Sequence, residues 1–279
     1  MRRKEKIILQ KKSFLNLFGS EISFSMTLIP AGWYMRGNKS NDKNIKSNEQ
    51  PPHKVQITRP FWMMETQMTE EVYLHLHPQL KYRASQPDFP IRNVCWYDAI
   101  RCCNLLSELC KITKSYEIGD ATFDAEGFET TKIHWTNNDG FRLPTETEWE
   151  WAARAISTTE FSGSTNLSDV GFYDENTQSS VSEVAQKLPN NWGLYDMSGN
   201  VYEWCWDWYG TYPNDTHEAG LIDPKGPSIG TARVVRGGSW NSERSDCRVT
   251  ARHHVYPTSE MDFVGFRCVL EAKGTSKIQ

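Results

Sequence analysis

After Arg154 the chain loses its hydrophobic periodicity. From Ala155 to Gln279 short apolar runs are separated by Gly, Asn, Asp and Pro, and no helical or extended stripe persists. Ordering backbone costs about 1–2 kcal/mol per residue, so a compact domain seldom holds so long an irregular stretch without help. Metal ions and buried aromatic side chains are the expected supports. Eleven Trp are available, and a buried indole brings a large apolar area together with an N–H that seeks a partner.

The first half is more regular. Residues 22–36, ISFSMTLIPAGWYMR, predict two strands joined by a Pro-Ala-Gly turn. Residues 37–54 are polar and predict a loop, and VQITRPFWMMETQMT predicts further strand. Thr69 followed by two glutamates predicts a short capped helix. In residues 94–111 the apolar side chains at 96, 99, 100, 103, 106 and 110 form a helical stripe. Thr145-x-x-Glu148 predicts a capping box at the start of a second helix, with Trp149, Ala152 and Ala153 facing inward. No internal repeat or low-complexity linker divides the chain. One domain is expected over residues 22–270, between a mobile basic segment at 1–21 and a tail at 271–279.

Composition excludes several classes. A hydrophobic content of 38% favours a globular fold over disorder. The net charge is −4 and the basic excess is confined to MRRKEKIILQKK, which argues against nucleic-acid binding. No run approaches the ~20 apolar residues of a membrane span, and no signal peptide is visible. By sequence the expected location is the cytoplasm and the expected state a monomer. The seven Cys form no CxxC pair, which disfavours a zinc ribbon or a thioredoxin-type site.

Asp196-x-x-Gly199-x-Val201-x-Glu203 places two carboxylates and two carbonyls within eight residues, around a glycine that permits a tight turn. An all-oxygen cluster suits Ca²⁺, which takes roughly 6–8 oxygen ligands. Ordinary turn formation is the alternative for the same residues. The aromatic run WCWDWY at 204–209 is expected to pack around this loop.

Three blocks stand in order: FRLPTETEWEWAAR (141–154), NNWGLYDMSGNVYEWCWDWYG (190–210) and RVVRGGSW…GFRCV (233–269). They follow MTLIPAGWYMRGN (26–38) and PIRNVCWYDAIRCCN (90–104). Together they resemble the formylglycine-generating-enzyme, or sulfatase-modifying-factor, family over almost all of residues 22–270. The resemblance implies an α+β fold, the formylglycine-generating-enzyme variant of the C-type lectin fold. It implies Ca²⁺ held by the Asp196 and Glu203 side chains and by the Gly199 and Val201 carbonyls. A second Ca²⁺ would involve Asn166 and Leu167, with Asp174 a candidate acidic ligand. Cys103 and Cys268 match positions joined by a disulfide in secreted members.

The family's oxidases bind copper through two thiolates in the C-terminal block. The matching positions here are Ser242 and Cys247, so the first thiolate is missing. Soft thiolates select Cu(I), and a hydroxyl is a poor substitute. Oxidation of a cysteine on a partner protein therefore stays open only as an alternative, with Cys247 joined by His253 or His254.

The same block also resembles variable proteins of treponemes and phages, whose lectin-fold ends are rewritten by diversity-generating retroelements. That likeness implies a fixed frame with free side chains between. The candidate ligand-binding residues are Asn241, Ser242, Glu243, Ser245, Asp246, His253, His254, Val255, Tyr256, Thr258, Ser259, Met261, Asp262 and Phe263; Ala251 and Val264 are further free positions. Aromatic and Met side chains supply contact area there, and Ser, Thr and Asp supply adaptable hydrogen bonds. The expected partner is a protein or a surface glycan, and by resemblance the cell surface becomes a second location.

Overall fold

The computed structural model describes residues 10–14, 23–38, 45–80, 86–213 and 220–272. It is a mixed α+β molecule with much irregular backbone. The strands of the first half are β1 (Lys11–Phe14), β2 (Phe24–Ile29), β3 (Gly32–Arg36), β4 (His53–Ile57), β5 (Phe61–Met64), β6 (Tyr116–Ile118), β7 (Ile133–Trp135) and β8 (Phe141–Arg142). Those of the second half are β9 (Tyr202–Trp208), β10 (Leu221–Ile222), β11 (Arg233–Arg236), β12 (His253–Val255), β13 (Val264–Gly265) and β14 (Val269–Glu271). The helices are α1 (Glu70–Leu76), α2 (Trp96–Leu109), α3 (Glu146–Arg154) and the single turn α4 (Leu167–Val170).

The expected helices form for the expected reasons. Thr69 caps α1 by accepting the Val72 N–H. Thr145 and Glu148 close a reciprocal capping box on α3. The stripe of α2 buries Trp96, Ile100, Cys103 and Leu106 in a cluster that includes Phe141, Trp204 and Phe266. The two strands predicted at 22–36 are β2 and β3, and the turn between them sends them to different sheets.

One sheet has the order β1-β2-β5-β14-β8, so it joins the two ends of the described chain. The basic segment is thus not wholly mobile: Lys11–Phe14 pairs antiparallel with β2, and Lys11 reaches Glu65. The C-terminal tail begins later than expected, because Glu271 still pairs in β14 and accepts from Arg142. Residues 1–9, 15–22 and 273–279 lie outside the described residues. A second sheet, β12-β11-β9-β13, carries the C-terminal blocks. The remaining sheets are β10-β4-β3 and the hairpin β6-β7.

Buried ion pairs tie the irregular second half to the rest of the molecule. Glu146 of α3 meets Arg36, Arg236 and Arg252, and Glu150, one turn on, meets Arg236 and Arg154. Burial alone would raise the Glu146 carboxyl, but the three guanidinium groups outweigh it and hold it far below the usual carboxylate range. Glu49 takes both Arg248 amino groups, at 2.8 and 2.7 Å. Among the described residues no helix is long and apolar enough to cross a membrane.

Candidate functional site

The segment after β11 runs along the molecule as a chain of fixed points separated by accessible side chains. Gly237 and Gly238 both have positive φ, and a Cβ on Gly238 would stand 2.5 Å from the Cys247 sulfur. The tight turn this permits aims the chain outward. Arg248 then binds Glu49, and Arg252 binds Glu146. Further on, main-chain carbonyls take over. Pro257 O accepts the Trp96 N–H, Met261 O accepts the Asn93 N–H and Phe263 O accepts the Tyr202 N–H, all at 2.8–2.9 Å.

Between these anchors Asn241, Glu243, His254, Tyr256, Met261 and Asp262 are exposed. Ser245, Asp246, His253, Val255, Thr258, Ser259 and Phe263 are half-buried. Three expected surface positions are not on the surface. Ser242 is buried because its hydroxyl accepts the Ser239 N–H at 3.0 Å and closes the turn. Ala251 and Val264 are also buried, Val264 because it pairs with Tyr202 across β13 and β9. His253 and His254 face opposite ways along β12, His253 toward Asp246 and Tyr202 and His254 against Tyr209. Asp246 also takes Lys46 at 2.5 Å, and His253 and Lys46 together hold its carboxyl down at about 2.

Cys247 lies elsewhere, fully buried in a cluster with Phe161, Leu167, Val170 and Tyr173. Burial raises its thiol well above the ordinary range, so its resting form is the neutral S–H. The Cys103 and Cys268 sulfurs stand 3.6 Å apart, Cys103 on α2 and Cys268 immediately before β14.

The loop at 196–203 forms an oxygen cage. Asp196, Gly199 and Asn200 all have positive φ, which turns successive carbonyls inward. The carbonyls of Asp196, Gly199 and Val201 and one Glu203 oxygen converge on a single atom, the side-chain nitrogen of Gln67, at 3.2, 3.4, 2.8 and 3.1 Å. Two of these residues each keep a buried side-chain oxygen without a partner, Gln67 Oε1 and Asp196 Oδ1. Asp196 thus turns its carbonyl into the cage, while its carboxylate accepts the Ala185 N–H, and burial pushes that carboxyl up to about 6. Glu203 also takes two hydrogen bonds from Arg267 and one from Trp149. An oxygen cage with two orphaned oxygens fits a hard cation if the Gln67 amide rotates to present its oxygen. Gln67 is an isolated glutamine in a strand-to-helix turn, and nothing in its local sequence marks it.

The second expected cation site is not assembled in this way. Asn166 donates its side-chain amide to Asp169, and the Leu167 carbonyl accepts the Gly171 N–H. The Asp174 main chain is tied instead to the Ser242 carbonyl.

Residues 22–272 match the model of the sulfatase-modifying factor enzyme 1-like domain. A protein named chaperone protein LppX, from Paenibacillus barcinonensis, is 28% identical over 82% of this chain and 83% of its own length. The formylglycine-generating enzyme of Streptomyces coelicolor is 39% identical over 49% of each chain. The serine/threonine-protein kinase pkn1 of Chlamydia pneumoniae is 31% identical over 87% of this chain, which spans only 37% of the kinase. Among solved structures, Treponema denticola variable protein 1 superposes with a TM-score of 0.81 at 30% identity, covering 94% of this chain and 99% of that one. Fold, block order and these likenesses agree, and the chain belongs to the sulfatase-modifying factor enzyme 1-like family.

Proposed function

We propose that this protein is a ligand-binding member of the family, with a recognition surface carried by residues 241–263 and with Ca²⁺ held in the 196–203 loop. One observation carries the first part. The anchors of the segment are buried arginines and main-chain carbonyls, whereas most side chains between them are accessible. A loop presented on a rigid support is the usual setting of a binding site. Its Tyr, His, Met and Phe provide contact area, and its ligand is a protein or a surface glycan. Similarity to proteins named as a variable protein and as a chaperone supports binding over turnover.

The catalytic alternative rests on similarity to formylglycine-generating enzymes. Two features of this chain oppose it. Position 242 offers a hydroxyl already committed to Ser239, and the Cys247 thiol faces Phe161 and Leu167. The test is a screen of surface glycans and cell-surface proteins with the wild-type chain and with a variant carrying Ala at 241, 254, 256 and 261. Binding that is lost in the variant, with an unchanged melting temperature, supports the surface. Conversion of a cysteine in a peptide by copper-loaded protein, abolished by Cys247→Ser, overturns it.

A further inference from the structure

Arg233, at the start of β11, is 6% exposed, and among the described residues no carboxylate lies within ion-pair distance of it. Its guanidinium is sandwiched, 3.7 Å from the Trp96 ring centroid and 3.5 Å from that of Trp208. Nη1 donates to the Trp206 carbonyl at 2.6 Å, and Nε has no partner. Buried guanidinium groups are ordinarily paired. The other buried arginines among the described residues obey that rule: Arg36, Arg142, Arg236, Arg248, Arg252 and Arg267 each meet a glutamate.

Two indole faces offset part of the desolvation cost by cation–π attraction but supply no counter-charge. Burial lowers the Arg233 guanidinium to about 9, and the opposing pull of Tyr97 and Asp207, neither in ion-pair contact, offsets only part of it. With both faces covered, only the planar edge of the group is left for a partner. That edge is where a carboxylate binds a guanidinium.

Arg233 contributes to the lining of a cavity of about 1160 Å³ between the β6-β7 hairpin and residues 256–259. The walls are largely apolar, with Tyr97, Ile118, Phe128, Trp208 and Tyr256 among them. Phe128 and Tyr256 are mostly exposed. Thr258 and Ser259 add hydroxyls at one side. Glu117, Asp124 and Lys132, all exposed, and Glu129, held by Arg101, also line the cavity; Arg233 is its buried cation, and the aromatic walls beside it define the chemistry of that end.

We propose that this cavity binds a small aryl or apolar carboxylate, with its carboxylate on Arg233 and its body among the aromatic walls. The inference deepens and rests on the ligand-binding reading above, since Tyr256, Thr258 and Ser259 belong to both. The test uses two probes that differ only in charge, N-acetyl-phenylalanine and N-acetyl-phenylalaninamide, titrated against wild-type protein and followed by tryptophan emission. The carboxylate is expected to bind at least about ten-fold tighter than the amide. Arg233→Gln should remove that preference. Tyr256→Ala, at an exposed position that folding does not need, should weaken both probes alike. Equal binding of the two probes to wild-type protein overturns the carboxylate assignment while leaving a ligand cavity. Binding of neither overturns the cavity as a site and leaves the surface around Asn241, His254 and Met261 to its own screen.

Discussion

Arg252 and Glu146 meet in the interior through two hydrogen bonds, Nε to Oε1 at 2.5 Å and Nη2 to Oε2 at 2.8 Å. The pair ties the irregular C-terminal segment to the first turn of α3. Arg252 also donates to the carbonyls of Asn48 and Gly210, so one side chain gathers three distant pieces of chain. Removing one member of a buried pair leaves uncompensated polar groups behind. Arg252→Met is expected to cost about 3 kcal/mol of unfolding free energy, measured by urea denaturation. Glu146→Gln should cost more, on the order of 5 kcal/mol, because three guanidinium groups lose one partner.

Calcium should bind to the 196–203 loop with one ion per chain. Addition of Ca²⁺ to chelator-treated protein is expected to raise the melting temperature, and Glu203→Gln should abolish the rise. The check is differential scanning fluorimetry with and without Ca²⁺, together with elemental analysis of the purified protein. A melting temperature indifferent to Ca²⁺ would mean that the Gln67 amide is the permanent occupant of the cage.

Asp207 is a buried carboxyl pushed up to about 7, first by burial and then by the negative charge of Glu146. Its Oδ2 accepts the Glu146 N–H, and its Oδ1 has no partner. A carboxyl with a folded-state value above its unfolded one favours folding while it is protonated. That contribution is complete below about pH 4 and is lost as pH rises through about 7. Stability attributable to Asp207 should therefore fall between pH 4 and 8 by roughly 2–4 kcal/mol. Asp207→Asn keeps the acceptor without the titration, and its urea midpoint should decline less over that range.

Cys103 and Cys268 are placed to join under oxidation. Mild oxidant should produce an internal crosslink seen as the loss of two hydrogens in the intact mass. Cys268→Ser should prevent it. The bridge spans 165 residues of sequence, and closing so long a loop is expected to stabilise by about 2–4 kcal/mol.

The positions expected to touch ligand should contribute little to folding. Single Ala variants at Asn241, Glu243, His254 and Met261 are each expected to change unfolding free energy by less than about 0.5 kcal/mol. Arg248→Ala, beside them in sequence, should cost about 3 kcal/mol through its pair with Glu49. Parallel urea titrations compare the two groups directly.

What the sequence disclosed follows from where the determinants lie. Periodicity and caps are local, so α2 and the capping box of α3 were readable from Trp96–Cys110 and Thr145–Glu148. The ordered blocks carried the family and with it the fold. Partners distant in sequence were not readable. Glu49 sits in a stretch legible only as polar loop, yet it anchors Arg248 across 199 positions. The unpartnered state of Arg233 likewise appears only once Trp96 and Trp208 close over it. The irregular second half was expected to rely on metal and aromatics; buried aromatics such as Trp192 and Trp204 are there, and Arg–Glu pairs join them. Their residues were visible in the sequence, but their pairing belongs to the tertiary structure.

The use of main-chain carbonyls at Pro257, Met261 and Phe263 as anchors has a bearing on how the protein changes over generations. A carbonyl is the same whatever side chain stands beside it. Replacing the exposed Met261 therefore alters the surface without dissolving the bond that positions it. Under the proposed ligand-binding reading, change at such an exposed position is thereby largely uncoupled from the ability to fold.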